Sequence, residues 1–149
     1  AAPYFYERAE MRAQAGKFRE SVMDYNTFFD AVGGDVTALF FFQREQAEMQ
    51  CRMYQHALND INKAVEMAPE DADFWVEKGT VHLRFNQLDD AIAAFNKALS
   101  LNDKYAAAYR LLGYCQAIKK KNKEACANFA KAKELGDELV DTLIEKYCK

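Results

Sequence analysis

Cysteine and histidine are the side chains in this sequence best suited to binding a metal, so their spacing is considered first. The four cysteines are Cys51, Cys115, Cys126 and Cys148. None of them forms a C-x-x-C pair, and only His56 and His82 could join them as ligands. This spacing matches no zinc site, and we predict neither a metal nor a cofactor. Small apolar thiols of this kind are typically buried.

No catalytic arrangement is recognisable either. The sequence has no G-x-S-x-G motif, and Gly33 and Gly34 form a bare turn rather than a phosphate-binding loop. Acidic residues such as Asp89 and Asp90 lie at expected helix starts, where they complement the helix dipole. We therefore expect the chain not to be an enzyme.

Charge and hydropathy narrow the possible partners. The net charge is -3 and the pI is about 5.5, which gives no electrostatic reason to expect a nucleic-acid partner. The basic cluster at residues 119–123 is interpreted as a solvated turn. No apolar run approaches the roughly 20 residues that span a bilayer, so we predict no membrane insertion. The cytoplasm is the favoured location, and a removed signal or anchor is the alternative.

An internal repeat organises the chain. Residues 74–103 and 108–137 match at an offset of 34. The alignment pairs Trp75 with Tyr109, Gly79 with Gly113, Ala91 with Ala125, Phe95 with Phe129 and Ala98 with Ala132. Two weaker copies precede them, and the earlier one needs an offset of 36. With only 6 glycines and 2 prolines to interrupt it, the chain is expected to form long helices.

An aromatic residue, a glycine four residues later and then A-x-x-x-F-x-x-A, within a 34-residue unit, resemble the tetratricopeptide repeat (TPR) family. The resemblance implies an all-α fold, a right-handed α-α superhelix (TPR solenoid) of antiparallel helix pairs. We predict a single array over residues 1–149, with repeats at about 2–37, 38–71, 72–105 and 106–137. A capping helix is expected at about 138–148.

The repeat register predicts local packing and turns. Small residues such as Gly79 would let the two helices of a unit approach closely. Turns are expected at Gly16, at Asn86 and at the Lys-Lys-Asn sequence of residues 120–122, because glycine and asparagine tolerate a positive φ. Cys115 and Cys126 lie symmetrically about that last turn. Two alternatives remain for this pair. The cysteines could form a disulfide, which would indicate an oxidising compartment, or both could be free thiols.

Two features depart from a regular repeat. Arg8, Arg44 and Lys78 stand where the family usually has leucine, and we expect their stems to lie on apolar surface with the charged heads in water. The run Phe40, Phe41, Phe42 spreads around a helix at about 100° per residue. We expect Phe41 to pack inside its repeat, Phe40 to lie under Tyr25 or Phe28, and Phe42 to face the groove.

The resemblance implies that the first helices of the repeats line a concave groove for a protein or peptide ligand. The predicted contacts are Tyr6, Phe42, Gln46, Met49, Arg84, Arg110 and Tyr114. Phe42, Met49 and Tyr114 would be apolar anchors, and the two arginines would bind an acidic residue or terminus. The alternative is that these faces only support a larger protein.

Some family members hold a chaperone peptide by its carboxylate with Lys, Asn and Arg. This chain instead has Tyr6, Glu10, Gln43, Asp73 and Glu77 at those positions, so that function is not expected. Two other hypotheses stay open. The aromatic start of the chain, residues 4–6, could mediate homo-oligomerisation. The chain could also be the recognition segment of a larger exported or enzymatic protein.

Overall fold

Every regular element of the protein is an α-helix, as predicted. The computed structural model describes all 149 residues. The nine helices are α1 (Ala2–Gln14), α2 (Phe18–Ala31), α3 (Ala38–Gln50), α4 (Tyr54–Met67), α5 (Ala72–Arg84), α6 (Leu88–Leu101), α7 (Ala106–Ile118), α8 (Asn122–Glu134) and α9 (Asp141–Tyr147). None of them combines the length and the apolarity needed to cross a bilayer.

The helices form two compact units. The N-terminal unit, Ala1–Pro69, contains α1 to α4, and the C-terminal unit, Glu70–Lys149, contains α5 to α9. Within them α1 packs on α2, α3 on α4, α5 on α6 and α7 on α8, and α9 packs on α8. Four helix pairs and a short last helix confirm the predicted repeats and cap. That the pairs form one array with the stated boundaries stays a prediction.

Glycines set the close packing of the C-terminal unit. A Cβ atom placed on Gly79 would lie 2.5 Å from Cε1 of Phe95, and one on Gly113 would lie 2.7 Å from Cε1 of Phe129. Both phenylalanine side chains are completely buried. The aromatic ring of each second helix therefore occupies the space that a larger residue on the first helix would take.

Arginine–aspartate pairs hold the helix pairs of the N-terminal unit together. Arg8 donates to both carboxylate oxygens of Asp24, at 2.8 and 2.7 Å. Arg44 binds Asp60 in the same way, at 2.7 and 2.8 Å. The prediction that the charged heads lie in water is wrong for Arg44, whose side chain is 13% exposed, whereas that of Arg8 is 34% exposed. In both cases the second helix supplies a buried carboxylate 16 residues along the chain.

The phenylalanine run is distributed as predicted for Phe40, whereas the Phe41 ring centroid lies 6.3 Å from that of Phe29 on α2, in the preceding repeat. Phe40 and Phe41 are buried. The Phe40 ring centroid lies 5.6 Å from those of Tyr25 and Phe28. Phe42 is half-buried.

Four turns between paired helices share a left-handed residue. Gly16 has φ +75° and Asn86 has φ +55°, as expected. In the turn before α8 the left-handed residue is Lys120, with φ +62°, rather than the asparagine. Asn122 is instead the first residue of α8. Arg52 occupies the same place after α3, with φ +59°.

A disulfide fastens the last helix. It joins Cys126 on α8 to Cys148 just after α9, with the Cα atoms 5.8 Å apart. A pairing of Cys115 with Cys126 was the wrong alternative, because α9 returns to α8 and brings Cys148 to it. Cys115 is buried and free, and burial raises the pKa of its thiol to about 11. It is therefore an unreactive core residue at neutral pH.

Candidate functional site

Two of the predicted contacts, Arg84 and Tyr114, lie in one pocket between α5 and α7 of the C-terminal unit. The cavity has a volume of about 310 Å³. Its lining residues, which define the α5–α7 pocket, are Thr80, Leu83, Arg84, Asn86, Leu88, Leu111, Tyr114 and Ile118. The α7 members follow one another at intervals of three and four residues, so they share one face of that helix.

The α5–α7 pocket combines an apolar wall with two polar groups that have no hydrogen-bond partner within the protein. Leucine and isoleucine side chains supply the wall. Arg84 is exposed, and its guanidinium makes no ion pair or hydrogen bond. Tyr114 is half-buried, and its hydroxyl has no protein partner. Such a site can bury an apolar side chain and bind a neighbouring carboxylate.

Arg110 is already paired. Its Nε donates to Oδ2 of Asp137 at 2.9 Å, and both side chains are largely buried. Asp137 also accepts a hydrogen bond from the backbone of Leu139 at 2.8 Å. Arg110 therefore holds α7 to the segment that leads into α9, and a ligand would have to compete with Asp137 for it.

Tyr6, in the N-terminal unit, belongs to a chain of hydrogen bonds between α1 and α3. Its hydroxyl donates to Oε1 of Gln43, and Nε2 of Gln43 donates to Oε1 of Glu10 at 2.8 Å. Burial, with the nearby Glu10 carboxylate, raises the pKa of Tyr6. The hydroxyl is thus committed within the protein, and only the ring is available to a ligand.

The remaining predicted contacts follow one face of α3. Phe42, Gln46 and Met49 are spaced four and three residues apart, which aligns them on a helix. Phe42 and Met49 are half-buried and Gln46 is exposed. Nε2 of Gln46 donates to the buried Glu45 at 2.8 Å. These residues form a continuous stripe along α3.

Sequence reasoning missed a group of buried acids in the N-terminal unit. Glu45, Glu48 and Asp60 are 0%, 3% and 5% exposed. Burial, together with the Asp60 charge, raises the pKa of Glu48 to about 9. Oε2 of Glu48 accepts no hydrogen bond, so ionisation there would leave a poorly solvated charge. The residues do not form a group suited to a metal ion.

A second pocket, also missed, opens in the N-terminal unit. Its volume is about 420 Å³. Its lining residues, which define the aromatic pocket, are Pro3, Tyr6, Glu7, Phe28, Asp35, Val36, Thr37 and Phe40. They come from α1, α2, α3 and the loop before α3. The only sequence signal was the high density of aromatic residues, which did not show where an opening would lie.

Comparison with known families identifies the repeat family. A profile of the tetratricopeptide repeat matches residues 47–105 and 77–138, which together cover more than half of the chain. The Bos taurus Protein SGT1 homolog is 30% identical over 81 residues, covering 54% of this chain and 24% of that protein. The chain spans about a quarter of the length of the SGT1 homologs it matches.

Solved structures share the fold. YrrB, described as a TPR protein with an unusual peptide-binding site, superposes with a TM-score of 0.88 at 19% identity, covering 98% of this chain and 75% of that one. The first TPR of Spaghetti (RPAP3), bound to an HSP90 peptide, superposes with a TM-score of 0.72 at 19% identity, covering 75% of this chain and 90% of that one. The fold class is therefore that of TPR solenoids.

Proposed function

We propose that this chain, which belongs to the tetratricopeptide repeat family, is a non-catalytic interaction scaffold that binds a partner peptide in the α5–α7 pocket. Peptide binding by this fold has precedent in YrrB and in the RPAP3 domain. The observation that carries the proposal is the exposed, unpaired guanidinium of Arg84 beside an apolar cavity of about 310 Å³.

The chemistry of the pocket indicates the ligand. The aliphatic wall suits a leucine-sized or aromatic side chain. Arg84 would bind a carboxylate next to that side chain through charge-assisted hydrogen bonds, and the Tyr114 hydroxyl would bind a backbone carbonyl. The expected ligand is therefore a peptide with an apolar residue beside an acidic residue or a C-terminus.

Recognition through a carboxylate clamp at the other repeat positions is not supported. Tyr6 and Gln43 are joined to Glu10 by hydrogen bonds, so no cation is present there. In the C-terminal unit, Asp73 accepts a hydrogen bond from the Tyr105 hydroxyl at 2.6 Å. The acidic groups at these positions would repel a terminal carboxylate, and the hydrogen-bonded neutral groups already have partners within the protein.

The stripe of Phe42, Gln46 and Met49 is proposed as a second contact surface. Its two half-buried apolar side chains lie on either side of a polar one on the same helix. A peptide that crossed this stripe would gain apolar contact without a charge requirement. Substituting Met49 would then weaken binding for peptides of any charge.

Peptide display on the whole chain tests the proposal. Random twelve-residue peptides are selected, and the affinities of the enriched ones are measured for the wild type, Arg84→Ala and Tyr114→Ala. We expect enrichment of apolar residues beside Asp or Glu, and a loss of affinity of about tenfold for Arg84→Ala. Arg84→Glu should reverse the preference toward basic peptides.

The matched control is Arg19→Ala, because Arg19 is also an exposed arginine. It should leave every affinity unchanged. Peptides that bind Arg84→Ala, Tyr114→Ala and the wild type equally well would contradict the proposed site. Peptides that lose binding to Met49→Ala alone would move the site to the α3 stripe.

Self-association is a second candidate, favoured by one observation on α1. Tyr4 and Met11 are 54% and 67% exposed, and they lie two turns apart on the same side of the helix. Sedimentation tests this by comparing the oligomeric state of the wild type with that of the double variant Tyr4→Ser, Met11→Ser. A wild type that stays monomeric at high concentration would exclude it.

A further inference from the structure

The aromatic pocket of the N-terminal unit is bounded by a cluster of three rings. The ring centroids of Tyr6 and Phe28 lie 5.3 Å apart, those of Phe28 and Phe40 5.6 Å, and those of Tyr6 and Phe40 6.4 Å. The faces of such rings carry partial negative charge and attract cations. One cation already lies near the cluster, since the guanidinium carbon of Arg44, which is paired with Asp60, is 5.1 Å from the Phe40 centroid.

Two carboxylates stand among these rings without a positive partner. Glu7, on α1, and Asp35, in the loop before α3, both line the cavity and are exposed. Neither forms an ion pair, whereas the nearby Asp24 is held by Arg8 and Arg12. The lining includes no lysine, arginine or histidine. The pocket therefore presents two uncompensated negative charges beside aromatic surface.

The N-termini of nearby helices carry partial positive charge, which disfavours a cation, but this charge is smaller than that of the two carboxylates. The N-termini of α1 and α3 begin near this pocket, at Ala2 and Ala38, and each carries about half a positive charge. The backbone N–H of Phe40 at the second of them already donates to the Thr37 side chain at 3.2 Å. Two full carboxylate charges exceed both helix ends together, so the pocket favours a cation.

We infer that the aromatic pocket binds a basic side chain, lysine or arginine, of a partner protein. The aliphatic stem would lie against Pro3 and Val36, and the charged head would contact the rings and donate hydrogen bonds to Glu7 and Asp35. Neutral side chains of the same length gain only the apolar part of this interaction. This site does not depend on the α5–α7 pocket, which selects the opposite charge.

NMR titration of the whole chain tests the inference with two probes that share the same four-carbon side-chain stem. The first is Nα-acetyl-lysine amide, and the second is Nα-acetyl-norleucine amide, which lacks the ammonium group. We expect the lysine probe to shift the amide signals of Tyr6, Phe28 and Thr37 and to bind in the millimolar range. The norleucine probe should bind about fivefold more weakly.

The double variant Glu7→Gln, Asp35→Asn should bind the lysine probe about fivefold to tenfold more weakly than the wild type does, and its affinity for the norleucine probe should be unchanged. The control is Glu20→Gln, because Glu20 is an exposed acid in the same unit that does not line the pocket. It should bind both probes as the wild type does. The amide spectrum of each variant reports whether the fold is retained.

Three outcomes would overturn the inference. Equal affinity for lysine and norleucine would show that charge is not recognised. Undiminished lysine binding by the double variant would place the cation elsewhere. Shifts scattered over other acidic residues, with none at Tyr6 or Phe28, would indicate only diffuse attraction to an acidic surface.

Discussion

The two units hold their helix pairs together by different means. In the C-terminal unit, glycines at positions 79 and 113 admit the rings of Phe95 and Phe129. In the N-terminal unit the residues equivalent to these glycines are Ala9 and the buried Glu45, and Arg8–Asp24 and Arg44–Asp60 ion pairs cross between the helices. The same repeat register therefore allows two kinds of contact between paired helices, an apolar one in the C-terminal unit and an ionic one in the N-terminal unit.

One position of the repeat controls the difference. Asp24 receives hydrogen bonds from both Arg8 and Arg12, which lie on the facing helix. Asp60 faces Arg44 and the acid Glu48 instead. The corresponding residue in the last repeat is Asn128, which donates to Gln116 at 2.6 Å and needs no charge. The residue at this second-helix position, together with the first-helix residues that face it, therefore forms an ionic, a mixed or a neutral contact.

Removing one partner of the ionic pair should have the largest effect. Asp60→Ala removes the bidentate partner of Arg44, whose side chain is only 13% exposed, and leaves it only the more distant Glu48 carboxylate, 3.8 Å from its Nε. We expect the N-terminal unit to lose about 3–5 kcal/mol of unfolding free energy. Chemical denaturation gives the total, and hydrogen exchange shows whether the loss falls in α1 to α4.

The matched control is Arg44→Leu with Asp60→Asn, which copies Leu112 and Asn128 of the C-terminal unit. This pair should restore stability to within about 1 kcal/mol of the wild type. A double variant as unstable as Asp60→Ala would show that the ionic pair is not exchangeable for the apolar arrangement.

Breaking the disulfide should have the next largest effect, confined to the C-terminal unit. The bond closes a loop with a sequence separation of 22. Cys148→Ser should lower the unfolding free energy by about 3 kcal/mol and increase hydrogen exchange in α9. A reductant should have the same effect on the wild type and none on the variant. Equal stability of the oxidised and reduced forms would contradict this.

Adding a methyl group at a glycine should test the apolar arrangement. Gly79→Ala places a Cβ 2.5 Å from the buried Phe95 ring. The overlap should destabilise the C-terminal unit by about 1–3 kcal/mol, despite the higher helix propensity of alanine. Phe95→Leu in the same chain should recover part of the loss. A more stable Gly79→Ala, measured by thermal unfolding, would show that the ring can move aside.

The last predicted effect is a pH dependence of stability that originates at Glu48. Its folded pKa, about 9, exceeds the ordinary value of 4.5, so its contribution to stability is complete below pH 4.5 and is lost as the pH rises through 9. Glu48→Gln should remove this dependence, and its advantage over the wild type should grow from pH 5 to pH 9. Asp24 acts at acid pH, because hydrogen bonds from Arg8 lower its pKa. If the unfolding free energies of the wild type and of Glu48→Gln changed in parallel from pH 5 to pH 9, the prediction for Glu48 would be contradicted.

The repeat period predicted much of the fold from sequence, because apolar spacing fixes which helix faces are buried. It placed Phe40 under Tyr25 and Phe28, and it identified the turns at Gly16 and Asn86. It also contained an unused signal, since an arginine is followed by an aspartate 16 residues later in both early repeats. That spacing joins facing turns of one helix pair.

The candidate site was less predictable, because it depends on which polar groups the protein itself satisfies. Arg84 and Arg110 were both predicted to face the groove, yet only Arg110 meets an aspartate from a later loop. The aromatic pocket depends on a loop conformation around Asp35 that no periodicity describes. The bond that forms was not among the alternatives considered, because the symmetry argument covered one hairpin and omitted the returning chain at Cys148.

The bond between Cys126 and Cys148 also affects how damage to this protein would be detected. Lys131, Lys133 and Lys146 lie between the two cysteines, so trypsin cleavage at any of them leaves both fragments covalently joined. A nicked molecule would migrate as a single chain on a gel without reductant and separate only when reductant is added. Intact mass spectrometry, where each cut adds one water, would distinguish nicked from whole protein.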